Sequence, residues 1–170
     1  LDDTDPPIWR VVELAETTGL NQLHRVIQAA MGWEDSHLHA FNHGRQAIPE
    51  RVRLDELIGR GIKRFGYLYD MGDSWEHTLH LQKRIAADPE QSYPRLVDGA
   101  GRCPPEDCGG IPGFYHLLDV LADPKHPEHD DIADWLGGSF DPADMDAAAI
   151  RQRLARIAAR RKKPDGARRT

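Results

Sequence analysis

The sequence predicts an α+β fold: a small mixed sheet with one long helix in a β-grasp-like arrangement, followed by a C-terminal helical part. Three observations support this prediction. Apolar residues alternate in several segments between residues 8 and 82, they recur at helical spacing between residues 20 and 31, and helical spacing returns after residue 113. Strands and helices that occupy separate parts of a chain are typical of the α+β class.

The composition is that of one globular domain. The chain has 170 residues, of which 39% are hydrophobic and 29% are charged, which suits a single hydrophobic core. We expect one α+β domain over residues 1–150 and a basic helical tail with a disordered end over residues 151–170. No apolar run approaches the roughly 20 residues of a membrane helix, so we expect no membrane partner. Two cysteines exclude a disulfide-built scaffold and predict a cytoplasmic location.

The first strand and the long helix follow each other at the start of the chain. The segment from Ile8 to Leu14 is rich in β-branched and aromatic residues, which predicts a strand. Thr17 and Thr18 are good N-cap residues, and Gly32 ends the helix as a C-terminal glycine does. Apolar residues recur at helical spacing between them: Leu20, Leu23, Ile27, Ala30 and Met31. Because the chain begins at Leu1 rather than at methionine, we expect a further strand before it that completes an opening hairpin.

Alternating segments predict the next strands of the sheet. They cover residues 37–41, 65–69 and 75–82, with a turn by composition at residues 70–74. Val52 and Leu54 predict a short strand, and residues 55–58 predict a helical turn. On the last of these strands, Trp75 and His77 share the apolar face, while the other face is polar and suits solvent.

Residues 87–113 form a long stretch without periodicity. Five prolines and five glycines fall within it. A structureless stretch of this length inside a compact domain is usually functional or disordered, and its two cysteines argue against plain disorder. Beyond it, apolar spacing predicts helices around residues 114–121, after Pro127 and from residue 142.

The first candidate site surrounds two histidines, His37 and His39, shortly after Trp33. On a strand, residues i and i+2 point the same way, which places two imidazoles side by side in a geometry suited to a metal or an anion. Phe41 shares their face and favours burial. The alternative is that both rings lie in solvent at a strand edge.

The second candidate site is the turn and strand from Tyr69 to His77. Asp70, Asp73 and His77 are three hard or borderline metal ligands within eight residues. Their spacing matches neither a helix-borne H-E-x-x-H pair nor a calcium loop. The alternative is a core histidine whose ring nitrogens are satisfied by the backbone or by Asp73, and the sequence leaves both interpretations open.

The third candidate site is the loop from Cys103 to Gly110. Four residues separate Cys103 from Cys108, a spacing that zinc ligand pairs allow. A second cysteine pair is missing, so a zinc site would take its further ligands from the histidines of the other clusters: His37, His39 or His77. Glu106 and Asp107 lie between the cysteines and would raise the pKa of a thiol nearby. The alternatives are a disulfide and two free buried thiols.

Charge is distributed unevenly along the chain. The net charge is −6, but nine Lys/Arg and one Asp give residues 151–170 a net charge of +8 and leave −14 on residues 1–150. A basic tail can bind nucleic-acid phosphates, and a nucleic-acid partner would contact its cations: Arg151, Arg153, Arg160, Arg161, Lys162 and Lys163. We favour the alternative of a solvated helix end, because no stacking aromatics lie among these residues.

Several dense motifs carry a family resemblance. They include residues 6–10 (Pro-Pro-Ile-Trp-Arg), Leu23-His24 with Ile27-Gln28, residues 36–41, residues 69–77, Tyr93-Pro94-Arg95 and residues 103–110. With these motifs in order from about Asp5 to Phe140, the chain resembles the plasmid pRiA4b open-reading-frame-three-like family. Met71 stands where that family usually has phenylalanine, and Val11 stands where it commonly has a second arginine.

The resemblance implies a domain of largely unknown biochemical function with an association with plasmids and insertion elements. Some members carry a resolvase-like label, which this chain does not support. A serine resolvase needs a nucleophilic serine among arginines near its N-terminus, whereas the first serine here is Ser36, between Asp35 and His37. The chain also lacks the G-x-S-x-G elbow and the phosphate-binding P-loop motif.

Three hypotheses follow. The leading one is a non-catalytic binding or accessory domain whose site contains Trp33, His37, His39, Asp70, Asp73, Trp75, His77, Glu106 and Asp107. The second is a metal-dependent hydrolase or nuclease, in which zinc or another divalent ion lowers the pKa of a bound water. Its ligands would be His37, His39, Asp73 and His77, and its general base would be Glu76 or Glu106. The third is a DNA-associated accessory factor that acts through the basic tail.

Overall fold

The computed structural model describes the backbone of residues 1–162 and the side chains of residues 1–160. Its six strands are β1 (Trp9–Glu13), β2 (His39–His43), β3 (Gln46–Ile48), β4 (Arg64–Tyr69), β5 (Trp75–His80) and β6 (Arg95–Ala100). Its five helices, within the same residues, are α1 (Leu20–Met31), α2 (Leu54–Gly59), α3 (Gly110–Ala122), α4 (His129–Leu136) and α5 (Ala147–Lys162). The predicted α+β class is confirmed.

The strands form two sheets rather than the single mixed sheet that we predicted. The order β3-β2-β4-β5 makes a four-stranded sheet, and β1 pairs with β6 in a separate ribbon. All of these pairings are antiparallel. The reason is that β1 pairs with a strand from the proline- and glycine-rich stretch, Trp9 lying opposite Ala100. The same finding corrects the view that residues 87–113 hold no regular structure, because β6 lies among them.

Arg10 joins the ribbon to the end of the long helix. Its guanidinium donates hydrogen bonds to the carbonyl oxygens of Ala100 at 2.7 Å and Gly101 at 2.8 Å in the ribbon. It also donates to the carbonyl oxygen of Ala30 at 3.1 Å, in the last turn of α1. Carbonyls in the last turn of a helix have no partner within the helix, and a cation suits the negative end of its dipole.

The N-cap of helix α1 lies one residue after Thr18, the second of the two threonines predicted as caps. Its N-cap is Gly19, in an extended conformation, and Thr18 is buried instead of capping the helix. The C-terminal prediction is confirmed, since Gly32 has φ 95° and its N–H donates to the carbonyl oxygen of Gln28. The helix is buried on two sides, with Leu20 and Ile27 in one core cluster and Val26 in the other.

One face of the four-stranded sheet carries the aromatic core, as the alternating pattern predicts. Tyr67 on β4 lies opposite both Phe41 on β2 and His77 on β5. Tyr69, further along β4, lies opposite His39 and Trp75. Side chains of paired residues in neighbouring strands project from the same face, so this register collects aromatic rings and imidazoles into one layer. The predicted short strand at residues 52–54 is instead an isolated bridge between Gly19 and Arg53, followed by α2.

Helix α5 packs on the domain across the predicted boundary at residue 150. Ile150 and Leu154 are buried in a core cluster with Val26 of α1 and Leu96 of β6. Arg153 donates from Nε to the carbonyl oxygen of Ala29 at 2.8 Å. Residues 163–170, with Lys163 and the predicted disordered end, lie outside the described residues. No helix among residues 1–162 is both long enough and apolar enough to cross a membrane.

Candidate functional site

The three sequence clusters meet at one end of the aromatic face. Trp33 donates its indole N–H to the carbonyl oxygen of Pro104 at 3.0 Å, and the backbone N–H of Glu34 donates to Glu106 at 2.9 Å. These bonds join the segment after α1 to the loop from Cys103 to Gly110. The backbone N–H of Gly109 donates to Asp73 at 3.1 Å, which joins the same loop to the turn between β4 and β5.

A close backbone approach holds two of these loops together. Gly110 has φ +68°, and a Cβ at this position would lie 2.5 Å from the carbonyl oxygen of Asp73. Only glycine therefore fits here without displacing one loop. Asp70, Ser74 and Asp107 also have positive φ values, between 55° and 58°, a conformation that costs energy for residues with a side chain. Such outliers cluster at functional sites more often than elsewhere.

Tyr69 lies where the three sequence clusters meet. Its hydroxyl accepts the backbone N–H of Ser36 at 3.0 Å and donates to the carboxylate of Glu106. Its ring stacks on Trp33, with centroids 4.9 Å apart. Burial, and then the neighbouring Glu106 carboxylate, raise the pKa of Tyr69. The hydroxyl therefore stays protonated and acts as a fixed donor that positions the Cys103–Gly110 loop.

His37 faces two carboxylates from two different loops. Its Nε2 lies 3.1 Å from Oδ1 of Asp107 and 3.7 Å from Oδ2 of Asp70. Asp70 is buried, and its Oδ1 accepts the backbone N–H of Gly72 at 2.8 Å, which leaves Oδ2 directed at His37. The Nε2 atom is itself buried, yet it makes no hydrogen bond within the described part of the chain. We call His37, Asp70 and Asp107 the junction triad.

A second group joins α1, the loop after it, β2 and β4. The Nε2 of His24 lies 2.6 Å from Oδ1 of Asp35, and its Nδ1 lies 2.8 Å from the hydroxyl of Tyr67. Gln28 completes the set, since its amide donates to Tyr67 at 3.0 Å and its carbonyl accepts the backbone N–H of Asp35 at 3.0 Å. Burial lowers the pKa of His24, and the hydrogen bond to Asp35 opposes that shift.

His39 stacks on His24 within this second group. The two ring centroids are 3.5 Å apart and the planes are 4° from parallel. The Nε2 of His39 is buried and lies 3.3 Å from Oε1 of Glu50, but it makes no hydrogen bond to any residue that the structure describes. The predicted placement of both rings on one strand is wrong for His37, because β2 begins at His39 and His37 lies in the loop before it. Each of the two rings faces its own carboxylates.

His77 lies deeper, within the aromatic layer. Its ring packs edge-on against Trp33, with centroids 5.4 Å apart, and its Nδ1 is 3.1 Å from the backbone oxygen of Trp75. Burial lowers the pKa of His77 from 6.5 to about 3. The imidazole is therefore neutral at pH 7. The burial agrees with the core-histidine interpretation, but Nε2 of His77 makes no hydrogen bond within the described residues, so the satisfied ring nitrogens of that interpretation are not found. A role of His77 in a site stays a prediction.

Neither cysteine belongs to a histidine group, although Cys108 directly follows Asp107 of the junction triad in the chain. Cys103 is buried, Cys108 is partly buried, and both are free thiols. Burial raises the pKa of Cys103, and it raises the pKa of the Cys108 thiol to about 12. Within the described residues, two groups of three side chains have ligand atoms within 4.8 Å of one another: His24, Asp35 and His39, and the junction triad. Neither group includes a cysteine, and zinc binding through Cys103 and Cys108 stays a prediction.

The remaining predicted site residues have structural partners. Trp75 is fully buried and its ring packs against Trp33, with centroids 5.9 Å apart, but its indole nitrogen makes no hydrogen bond within the described residues. Asp73 and Glu106 accept hydrogen bonds that fix the loops, as described above. His24, Asp35 and Glu50 are not among the site residues that the sequence predicts. His24 carries a usable signal, because it lies four residues before Gln28 on the buried face of α1. Asp35 and Glu50 lie on exposed loop positions that give no such signal.

These features define an α+β domain in which loops after a helix and two strands bring imidazoles and carboxylates together above an aromatic sheet face. The chain belongs to the plasmid pRiA4b ORF-3-like family, whose profile matches residues 1–149. This confirms the resemblance drawn from the sequence motifs.

Two relatives show how far the similarity extends. The chain is 37% identical over 163 residues to "Uncharacterized protein y4hQ" of Sinorhizobium fredii, an alignment that covers 88% of this chain and 81% of the relative. It is similar in structure to the crystal structure of "Protein of Unknown Function MM3350" from Methanosarcina mazei, with a TM-score of 0.79 and 33% identity. That match covers 86% of this chain and 91% of the other. Neither description names an activity.

Proposed function

We propose that the protein is a binding domain whose junction triad holds a divalent first-row metal ion. The carrying observation is the Nε2 atom of His37, which is buried, makes no hydrogen bond within the described residues and faces carboxylate oxygens of Asp70 and Asp107. A buried polar atom without a partner costs free energy. An ion coordinated between the three side chains would remove that cost.

The distances within the junction triad suit ligands of one ion. With bonds of about 2.1 Å and angles of 90–120° between them, two ligand atoms lie about 3.0–3.6 Å apart. The separations of His37 Nε2 from the two oxygens are 3.1 Å and 3.7 Å. One imidazole nitrogen and two carboxylate oxygens form a donor set for Zn²⁺ or Mn²⁺ rather than for a thiolate-selective ion.

Charge and access support the same assignment. Asp107 is 72% exposed, whereas Asp70 is 10% exposed, so the ion would be anchored in the fold and open to solvent on one side. Three protein ligands leave coordination positions for water or for a bound molecule. Residues 1–150 carry a net charge of −14, and a negative potential attracts cations and repels phosphates.

The test measures bound metal directly. Tag-free protein is freed of metal, dialysed against Zn²⁺ or Mn²⁺, and analysed for metal per chain and by titration calorimetry. Asp70→Asn and His37→Ala should each raise the dissociation constant at least tenfold, because each removes one of three ligands. The control is His43→Ala, at an exposed histidine of the same strand as His39. Equal affinity in the wild type and in Asp70→Asn would refute the proposal.

The hydrolase hypothesis gains no specific support from the geometry. Both oxygens of Glu106 accept hydrogen bonds, one from Tyr69 and one from the backbone of Glu34, which gives this carboxylate a role in holding the loops together. Glu76 alternates with His77 on β5 and is exposed on the opposite face of the sheet. Metal-assisted hydrolysis stays a prediction, to be tested with phosphodiester substrates once metal binding is established.

The basic tail also stays a prediction as a nucleic-acid contact. Arg151 and Arg160 are exposed on α5. Arg153 is committed to the end of α1 through its hydrogen bond to Ala29. An association with mobile DNA elements is a proposal that the family name suggests. The two free thiols support the further proposal that the protein works in the reducing cytoplasm.

A further inference from the structure

The second histidine group has a hydrogen-bond pattern that assigns different roles to its two rings. Four hydrogen bonds close a cycle. The backbone N–H of Asp35 donates to Gln28, the amide of Gln28 donates to Tyr67, and Tyr67 and His24 are 2.8 Å apart. His24 Nε2 then returns to the Asp35 carboxylate at 2.6 Å. Each member has one donor and one acceptor available for the cycle.

The direction of the cycle fixes the tautomer of His24. Gln28 donates to the Tyr67 oxygen, so the Tyr67 hydroxyl proton is free to donate to Nδ1 of His24. His24 then carries its proton on Nε2 and donates it to the carboxylate of Asp35. A ring nitrogen that carries a proton has no lone pair for a metal. His24 is therefore a donor that orients Asp35, and it is not itself a ligand.

The stack of His24 and His39 excludes a shared ion independently. The lone pair of an imidazole nitrogen lies in the plane of its ring. Planes 4° from parallel with centroids 3.5 Å apart direct their lone pairs side by side, so one ion cannot lie in both planes. His39 is left with an Nε2 that is buried, lacks a hydrogen bond within the described residues and lies 3.3 Å from Glu50.

We infer a second divalent-cation site that consists of His39 Nε2 and the carboxylates of Glu50 and Asp35, with His24 as the positioning residue for Asp35. The separation of 3.3 Å between His39 and Glu50 suits two ligands of one ion. A carboxylate oxygen of Asp35 lies within 4.8 Å of a ring nitrogen of His39, and Oδ1 of Asp35 is held by His24. Glu50 is 53% exposed, which leaves its carboxylate free to close on an ion. A ligating carboxylate that is hydrogen-bonded by a residue behind it is the usual arrangement of metal sites.

This second site shares no ligand with the junction triad, so the experiment can refute either site and leave the other standing. The test counts Zn²⁺ per chain by calorimetry and elemental analysis in the wild type, Glu50→Gln and Asp70→Asn. Two ions are expected in the wild type and one in each variant. Two ions in Glu50→Gln would overturn the second site. A single ion that Asp70→Asn retains and Glu50→Gln loses would overturn the junction triad instead.

Two variants keep the test specific. Glu90→Gln removes an exposed carboxylate in the loop before β6 and should still bind two ions. The His39→Ala variant should bind one ion. If His39→Ala fails to fold, the result for Glu50→Gln decides whether the second site exists. The role of His24 is read by ¹⁵N NMR of the imidazoles. On addition of Zn²⁺, the Nε2 resonance of His39 should shift, whereas His24 should keep the proton on its Nε2. Loss of that proton from His24 would refute its positioning role.

Discussion

The imidazole rings of His24 and His39 lie face to face, 3.5 Å apart between centroids and 4° from parallel. Burial is the main cause of the lowered pKa of His24, and repulsion from His39 at this separation adds to it. The exposed carboxylates at the two edges, Asp35 and Glu50, offset some of that repulsion. The pair is thereby suited to the proposed second site, in which His39 and the two carboxylates hold a cation.

Acid should destabilise the fold because the buried histidines must remain neutral. The folded-state pKa of His77 is about 3, against 6.5 for the free side chain. Between these values the unfolded chain binds a proton that the folded chain does not. The stabilisation is therefore complete above pH 6.5 and is lost as pH falls, by up to about 1.4 kcal/mol per pH unit for this residue. Urea unfolding at pH 7, 6 and 5 measures the slope.

The variant His77→Phe distinguishes the contribution of His77 to the pH dependence of stability from the contribution of the carboxylates. Its free energy of unfolding should depend less on pH between 6.5 and 5, because no proton uptake at residue 77 remains. The exposed His43→Gln serves as the matched control and should keep the wild-type slope. An unchanged slope in His77→Phe would show that this imidazole does not resist protonation in the fold.

Tyr67→Phe should destabilise the protein through the hydrogen bonds that it breaks. The hydroxyl of Tyr67 joins Gln28 and His24, and both partners are buried. Without it, one buried donor and one buried acceptor lose their partner, at a cost of about 1–3 kcal/mol for each unsatisfied group. Chemical denaturation measures this change. A loss below about 0.5 kcal/mol would mean that the cycle through His24 does not stabilise the fold.

Local patterns in the sequence predicted the parts of the fold that depend on neighbouring residues. The alternation around Tyr67 and Tyr69 gave the buried sheet face, and the apolar spacing before Gly32 gave α1. The β1–β6 ribbon was not predictable in this way, because Trp9 pairs with Ala100, far along the chain and in a stretch rich in proline and glycine. The strand β1 itself was predicted from its composition, but neither segment carries a signal for its distant partner.

The sequence motifs predicted several residues of the candidate site, but they did not predict which of these side chains contact one another. The pattern predicted His37 and His39 on one strand face, whereas β2 begins at His39. The partners of the two rings come from other elements: Asp70 and Asp107 for His37, and Glu50 for His39. Such groupings depend on loop geometry that spacing does not encode. His77 shared the apolar face with Trp75, and that pattern alone could not distinguish a ligand from a core residue.

Gly110→Ala should disrupt the contact between the Cys103–Gly110 loop and the turn after β4. The new Cβ would lie 2.5 Å from the backbone oxygen of Asp73, at φ +68°. Gly44→Ala is the matched control, because its φ is +59° and nothing lies within 4 Å of its Cβ position. Backbone strain in the control should cost about 1–2 kcal/mol. In Gly110→Ala the clash with Asp73 adds to the cost of backbone strain. Thermal unfolding of both variants measures the difference in their stability. Equal losses would show that the loops adjust freely.

Helix α5 should contribute to the stability of the domain rather than form an independent tail. Leu154 is 1% exposed and packs with Val26 and Leu96, so Leu154→Ala removes buried methyl groups and leaves a cavity. The expected loss is about 2–5 kcal/mol in the free energy of unfolding. Arg156→Ala, on the exposed side of the same helix, should change stability by no more than about 0.5 kcal/mol. Urea denaturation of both variants compares them, and equal stabilities would show that α5 is not docked on the core in solution.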